Sequence, residues 1–367
     1  MNWLLIALLP YTVTFLVIWF RLLQEKKEIK YTGPGHGHIL LSLVIPFRDE
    51  GHNITSLLKD ISRQNLDPEY YEVIFVDDGS TDTTRAILDS TALSLPGMKI
   101  LDAGGRGKKE AMALGLEHAR GDFIVSTDAD CRLDKDWLQQ IFNCLVNDDP
   151  DMIIGAVDII DTGSLMNRFV QLEFLGLQAI TEFFARKGRP VMCNAANLCF
   201  RHPGPEKYRS MVRLNIPSGD DMFLMEAYRK EGKTITWLDA PGSIVKTHFP
   251  SSFRSLIKQR IRWTSKSPYY SDPGIMTIAA LVFLTCLLTG ITFIGSFIVP
   301  DMLQLWLVML VLKSIPDLLL LIRMTGRRNK KGLLFLFLPL QLMYPFYVVY
   351  TGLAGIIRGL FSLPRDK

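Results

Sequence analysis

FIVSTDAD, residues 123–130, joins a four-residue apolar, β-prone run to two aspartates spaced as D-x-D. A strand apolar at every position needs cover on both faces, which is the habit of a parallel sheet. The same unit occurs upstream. LLSLVIP (40–46) runs into Arg48-Asp49-Glu50, and VIFV (73–76) runs into Asp77-Asp78-Gly79-Ser80. Between these runs, Asn53–Gln64 carries Ile54, Leu57, Leu58 and Ile61 on one helical face. Thr83–Leu93 and Lys109–Ala119 read as further helices, with a strand at Met98–Leu101. The alternation predicts an α/β domain, doubly wound about a mostly parallel sheet. Such sheets bind ligands beyond the carboxyl ends of their strands.

Three of those ends are acidic. Carboxylates gathered at one rim repel unless something positive sits among them. A hard divalent cation with oxygen ligands answers that need, and bridging a diphosphate is the commonest use of such a site. A lone D-x-D is more often a solvated turn; its place after FIVS is what gives it weight. No G-x-G-x-x-G follows the first strand and no G-x-x-x-x-G-K-[ST] loop is present, which weighs against dinucleotide and P-loop readings.

Hydrophobic residues make up 48% of the 367 and charged residues 21%, and the two are segregated along the chain. No charge occurs from Trp3 to Phe20, a length that can span a bilayer. Basic residues follow it, at Arg21, Lys26, Lys27 and Lys30, so a retained anchor with its N-terminus outside is expected rather than a cleaved leader. Apolar stretches return at Ile275–Val299, Met302–Ile322 and Gly332–Ile357. Arg323–Lys331 holds five basic residues and no acid, which puts that loop in the cytoplasm. The expected organisation is an anchor (1–20), a linker with His36 and His38 (21–38), a cytoplasmic catalytic domain (39–250), an amphipathic interface helix (251–272) and a C-terminal membrane region (273–367). Arg358, Arg365 and Lys367 fit an outside C-terminus poorly, so a re-entrant last segment stays open beside a third span. Lys313 and Asp317, a helical turn apart within a span, are either a self-neutralising pair or a functional one. A net charge of +4 makes no case for nucleic acid. Five cysteines without CxxC spacing give no disulfide framework or zinc knuckle.

VIPFRDE (44–50), VDDGSTD (76–82), GKKEAMALG (107–115), STDADC (126–131), SGDD (218–221) and QRIRW (259–263) occur in the order seen in family 2 inverting glycosyltransferases of the GT-A fold. Over about residues 40–265 the chain resembles the integral-membrane branch of that family, marked by QxxRW. That branch includes hyaluronan, chitin-oligosaccharide and cellulose synthases and ceramide glucosyltransferase. The resemblance implies that Pro46, Glu50, Asp77 and Asp78 hold the uridine of a UDP-sugar, with either Asp77 or Asp78 at the base. It implies Lys108 near the base or diphosphate, Asp128 at the donor's ribose or sugar and on the metal, and Asp130 on Mg2+ or Mn2+. Asp221, with Asp220 beside it, falls at the general base; a helix N-cap is the plainer reading. Gln259 and Arg262 would donate to the diphosphate. Trp263 would stack beneath an acceptor sugar, against the plainer reading of an interfacial tryptophan. Asn194 and Asn197 are acceptor-side candidates. Glu110 and Ala113 stand where the ordinary pattern has Gly and Asn, which leaves the donor sugar open.

Lys246–Lys266 carries six basic residues and no acid, interleaved with apolar ones, and is expected at the lipid surface. Leu165–Phe184 suits a second interface helix or an ordinary core helix equally. His248 suits a substrate contact, against the plainer reading of a hydrogen-bonded structural residue. The expected activity is metal-dependent transfer of a sugar to a membrane lipid or growing glycan with a β product, at a bacterial inner membrane. QxxRW favours polymerisation or a ceramide-like acceptor, whereas four spans make a wide channel difficult unless the chain oligomerises. The rivals are a nucleotide-sensing membrane protein, which should have lost Asp130 or Asp221, and a transporter resting on Lys313 and Asp317 alone.

Overall fold

The computed structural model describes residues 2–24, 39–91, 95–250 and 252–362. Lys26, Lys27, Lys30, His36, His38, Arg365 and Lys367 lie outside the described residues. In chain order the elements are α1 (Asn2–Gln24), β1 (Leu41–Phe47), α2 (Ile54–Ile61), β2 (Tyr71–Asp77), α3 (Thr84–Thr91), β3 (Lys99–Asp102), α4 (Lys108–His118) and β4 (Phe123–Ser126). Then come α5 (Trp137–Asp148), β5 (Met152–Gly155), β6 (Val157–Ile159), α6 (Leu165–Arg186), β7 (Leu198–Arg201), α7 (Pro205–Val212), α8 (Asp220–Lys230), β8 (Ile235–Leu238) and β9 (Val245–Thr247). The chain continues through α9 (Phe253–Thr264), α10 (Pro273–Gly295), α11 (Asp301–Arg327) and α12 (Phe337–Ser362). Two compact units divide the described residues: 39–160 with 184–248, and 2–24 with 161–183 and 249–362.

The first unit has the expected α/β architecture, though residues 161–183, placed within the catalytic domain by sequence, belong to the other unit. Its sheet has the order β3-β2-β1-β4-β7-β5-β8. β1 pairs in parallel with β2 and with β4, and β2 with β3. Every residue of β1, β2 and β4 is buried, as their unbroken apolar runs require. Pro46, which cannot donate to a ladder, lies beyond Val44, the last residue of β1 paired with β4. Only β7 runs antiparallel to its neighbours β4 and β5. A second small sheet pairs β6 with β9. Helix α4 lies close on the sheet because residue 115 is glycine: a Cβ there would sit 2.3 Å from Val44 Cγ1 and 3.2 Å from Val76 Cγ2.

The second unit is helical. Four of its segments, Trp3–Gln24, Pro273–Gly295, Asp301–Arg327 and Lys331–Phe361, are long and apolar enough to cross a membrane. The last is a continuous helix through Pro345 after a short 3-10 turn at Lys331–Leu336. The expected amphipathic run from Lys246 to Lys266 is not one element. Lys246 belongs to β9, and α9 starts at Phe253 behind a Ser252–Ser255 capping box. Helix α9 packs on α12 where glycines let the backbones approach: a Cβ at Gly355 would fall 1.8 Å from Thr264 Oγ1, and one at Gly359 would fall 2.3 Å from the Ser265 carbonyl.

Several buried charges of this unit are paired. α6 is buried over much of its length, and its Glu182, fully buried, accepts from Arg323 at 2.8 Å on each oxygen and from Arg327 at 2.6 Å. Lys313, also fully buried, donates to Asp317 and Gln341, both at 2.7 Å. Tyr11 of α1 donates to the other Asp317 oxygen at 2.6 Å, and Gln341 of α12 donates to Asp317 at 2.9 Å. The pair anticipated from its i,i+4 spacing is therefore a four-residue network joining α1, α11 and α12. Removing one charge of a buried pair costs more than removing both. Lys313→Met should accordingly lower stability by about 3–5 kcal/mol, while the double change with Asp317→Leu costs less, because no lone charge is left and only the Tyr11 hydroxyl and the Gln341 amide lose partners. Thermal melts of the detergent-solubilised protein test this; equal melting points for the single and double variants would refute it.

Candidate active site

Parallel pairing of β1, β2 and β4 brings their carboxyl ends to one edge of the α/β unit, and short polar turns hold the side chains there. After β1, Asp49 adopts a left-handed φ of 55° and accepts from Thr81 N at 2.7 Å. Glu50 accepts from Asn53 Nδ2 at 2.7 Å, and its own N–H donates to Thr84 Oγ1 at 2.8 Å. After β2, Asp77 accepts from Ser80 N at 2.8 Å, and Asp78 accepts from Gly107 N at 2.7 Å. Both aspartates are buried. Each commits an oxygen to shaping the loop wall, so they build the rim as well as lining it. Glycine is required at position 79, directly after them, since at φ 78° a Cβ would meet Gly105 Cα at 3.0 Å.

After β4 come Asp128 and Asp130. Their carboxylate oxygens and the Cys131 sulfur lie within 4.8 Å of one another. Burial, with the Asp128 and Glu50 carboxylates beside it, pushes Asp130 up to about 6, against the field of His248 and Lys108. The Lys108 ammonium forms an ion pair with Asp128. Burial opposes that charge, but Asp128, Asp220 and Asp221 outweigh it and hold Lys108 above the usual lysine range. A hard divalent cation suits this donor set through its two carboxylates, because Asp130 is crowded by negative charge. Cys131 suits it less, since burial and then the two aspartates keep its thiol protonated.

Asp220 and Asp221 open α8. The helix cap is Gly219, in a left-handed turn with Ser218 (φ 77° and 60°), so Asp221 is not the N-cap that its position suggested. Within the first turn it accepts from Met222 N at 2.8 Å and from Ala195 N at 3.3 Å. Burial first, then Asp220, pushes Asp221 up to about 6, with those N–H groups and Lys108 pulling the other way. Lys109 escaped the sequence reading. It is buried and donates to the carbonyls of Val212 (2.5 Å), Arg213 (2.8 Å) and Ile216 (2.7 Å), pinning the loop that leads into Asp220. Its neighbour Lys108 points instead to Asp128; two adjacent lysines carried no signal of that division.

The two asparagines part company. Asn194 accepts from Ala196 N at 3.0 Å and stands next to the residue that donates to Asp221. Asn197 is a correction. Its amide donates to the carbonyls of Ala156 (2.7 Å) and Ser243 (2.9 Å) and accepts from Trp137 Nε1 (3.0 Å), deep in the core. Both its donors are spent on folding, which leaves no acceptor-binding role. Gln259, Arg262 and Trp263 belong to the helical unit, on α9, where Arg262 is exposed and the other two are half-buried.

Residues 42–203 match the model of Glycosyl transferase family 2, and residues 123–350 that of Glycosyl transferase family group 2. A glycosyltransferase of Haloferax volcanii, AglE, is 28% identical over 119 residues, 32% of this chain and 39% of that protein. A bactoprenol glucosyl transferase of Shigella phage SfV is 36% identical over 92 residues, 24% of this chain and 30% of that protein. The chain thus matches well under half the length of these relatives. A mannosyltransferase of Pyrobaculum calidifontis, solved with GDP-Man and Mn2+, superposes over 98% of both chains with a TM-score of 0.60 at 16% identity.

The crowding of Asp130 makes a signed prediction. Its carboxyl binds a proton more tightly in the folded chain than in the unfolded one, so ionisation destabilises the metal-free fold above about pH 6 and not below about pH 4. Asp130→Asn should raise the melting temperature of the EDTA-treated protein by a few degrees at about pH 8, with no gain at about pH 4. Added Mn2+ should then stabilise wild type alone. Equal Mn2+ stabilisation of the variant would remove Asp130 from the metal site.

Proposed function

Since the chain belongs to Glycosyl transferase family group 2, we propose that it transfers a sugar from a UDP-sugar to a membrane lipid or growing glycan, with inversion to a β-linkage, at the cytoplasmic membrane face. The observation that carries this reading is the acidic rim. Lys108 pairs with Asp128 in the field of Asp220 and Asp221, with Asp130 crowded beside them. The four candidate spans support membrane residence, and the basic loop Arg323–Lys331 supports a cytoplasmic catalytic unit. The name of one relative, a bactoprenol glucosyl transferase, favours a lipid acceptor, and four spans favour single or few-step transfer over a self-built channel. The GDP-Man-bound neighbour speaks for the fold and not for the base.

In this reading Pro46, Glu50, Asp77 and Asp78 hold the uridine, and Lys108 lies against the diphosphate as a fixed positive charge. Asp130 and Asp128 would hold Mg2+ or Mn2+, which supplies charge neutralisation of the departing nucleoside diphosphate. Asp221 takes the proton of the acceptor hydroxyl. A carboxylate raised to about 6 is a stronger base than an ordinary aspartate and is still ionised at neutral pH. One such base suffices for a single displacement, so no second carboxylate nucleophile is needed. Gln259 and Arg262 are assigned to the diphosphate, and Trp263 and Asn194 to the acceptor, on the QxxRW and NAAN patterns.

Mass spectrometry of membrane extracts after supplying each candidate UDP-sugar with Mn2+ tests the reaction; nucleotide binding without turnover on any donor would favour a sensor. Asp221→Asn should lose transfer about 10²–10⁴-fold while still binding UDP. Because Asp221 must be ionised to act, kcat/KM should fall about tenfold per pH unit below about 6 and level off above it. An acid limb centred near pH 4 would move the base to another group.

A further inference from the structure

Arg260 lies inside the QRIRW segment but is not one of its three signature residues. It is the one basic residue of α9 whose side chain is buried. Its guanidinium makes a two-pronged pair with Glu173 of α6, Nε to Oε1 at 3.2 Å and Nη2 to Oε2 at 2.5 Å. Glu173 is itself buried and also accepts from Tyr347 Oη of α12 at 3.3 Å. The remaining arm, Nη1, donates to Gln259 Oε1 at 3.2 Å. The guanidinium carbon of the same side chain lies over the Trp263 ring, 4.2 Å from its centre. That ring meets Phe249 edge-on at 6.4 Å, and Phe249 in turn packs on Phe174 at 5.7 Å.

We propose that Arg260 is the positioning residue for Gln259 and Trp263, fixing the amide orientation of the first and the ring plane of the second. An arginine has no acceptor, so the Gln259 atom facing it must be the carbonyl oxygen. The amide NH2 is thereby turned outward as a donor, the polarity needed by an anionic diphosphate oxygen. Left unheld, the amide could flip and offer its oxygen to that anion instead. The cation over its ring does the same for Trp263, holding an indole plane that two rotatable bonds would otherwise let swing. Glu173 keeps the guanidinium's plane and charge in place, and a lysine could satisfy that charge but not the fork.

This assignment rests on Gln259 acting as a diphosphate contact, so UDP affinity, which needs no turnover, is the primary readout. Full-length protein in detergent carries Arg260→Lys, Gln259→Ala or both, each checked for an unchanged size-exclusion profile. Arg260→Lys should weaken UDP binding about tenfold. If it acts through Gln259, the double variant binds no more weakly than Gln259→Ala alone. Glu173→Gln, which loosens the tether from the far side, should reproduce part of the loss. A folded Arg260→Lys protein with wild-type UDP affinity, or losses that multiply in the double variant, overturns the inference. Wild-type protein that binds no UDP would instead bring down the functional reading on which it stands.

Discussion

The α/β unit depends on one electrostatic constraint: carboxylates crowded at one rim, Asp128, Asp220 and Asp221 around Lys108 and Asp130 beside Asp128 and Glu50. Lys108 is paired to Asp128 and feels Asp220 and Asp221 as well. The compensation is partial: burial first, and then the carboxylates beside them, push Asp130 and Asp221 both up to about 6. A fold optimised for stability alone would not leave two reluctant anions there. That residue of negative charge is what makes the rim fit for a divalent cation and for a proton acceptor.

The same balance is struck differently in the helical unit. There three buried charges meet charged or polar partners: Glu173 with Arg260 and Tyr347, Glu182 with Arg323 and Arg327, Lys313 with Asp317 and Gln341. Such pairs add little net stability over apolar side chains of the same shape. They do select which helices pack together, since α6, α9, α11 and α12 each bear a charge or hydroxyl that only one arrangement satisfies. Where no lipid-facing apolar pattern distinguishes one helix face from another, these polar links and the close glycine contacts of α12 supply the specificity.

Much of this was legible from local signals. The strands β1 to β4 and the helices between them declared themselves through apolar runs and helical periodicity, and the acidic turns at their ends followed directly. Past Ser126 the alternation gives out. β5 and β6 are separated by a single residue, Ala156, and belong to different sheets, while β7 enters the main sheet antiparallel between β4 and β5. Partners of that kind are chosen by packing across long sequence separations, and no short window contains them. The merging of Lys246 with α9 had the same origin: a charge count along the chain cannot see where a strand ends.

The chain's own order of residues determined the layer architecture, the four apolar segments and the acidic character of the strand ends, because each depends on neighbours a few positions away. Tertiary structure alone decided which of two adjacent lysines reaches Asp128 and which pins the loop before Asp220. It also took Asn197 into the core and set Arg260 under Trp263. A side chain's role is assigned by the groups that meet it in space, and burial makes those meetings obligatory, since a polar group out of water must find a partner wherever the fold supplies one.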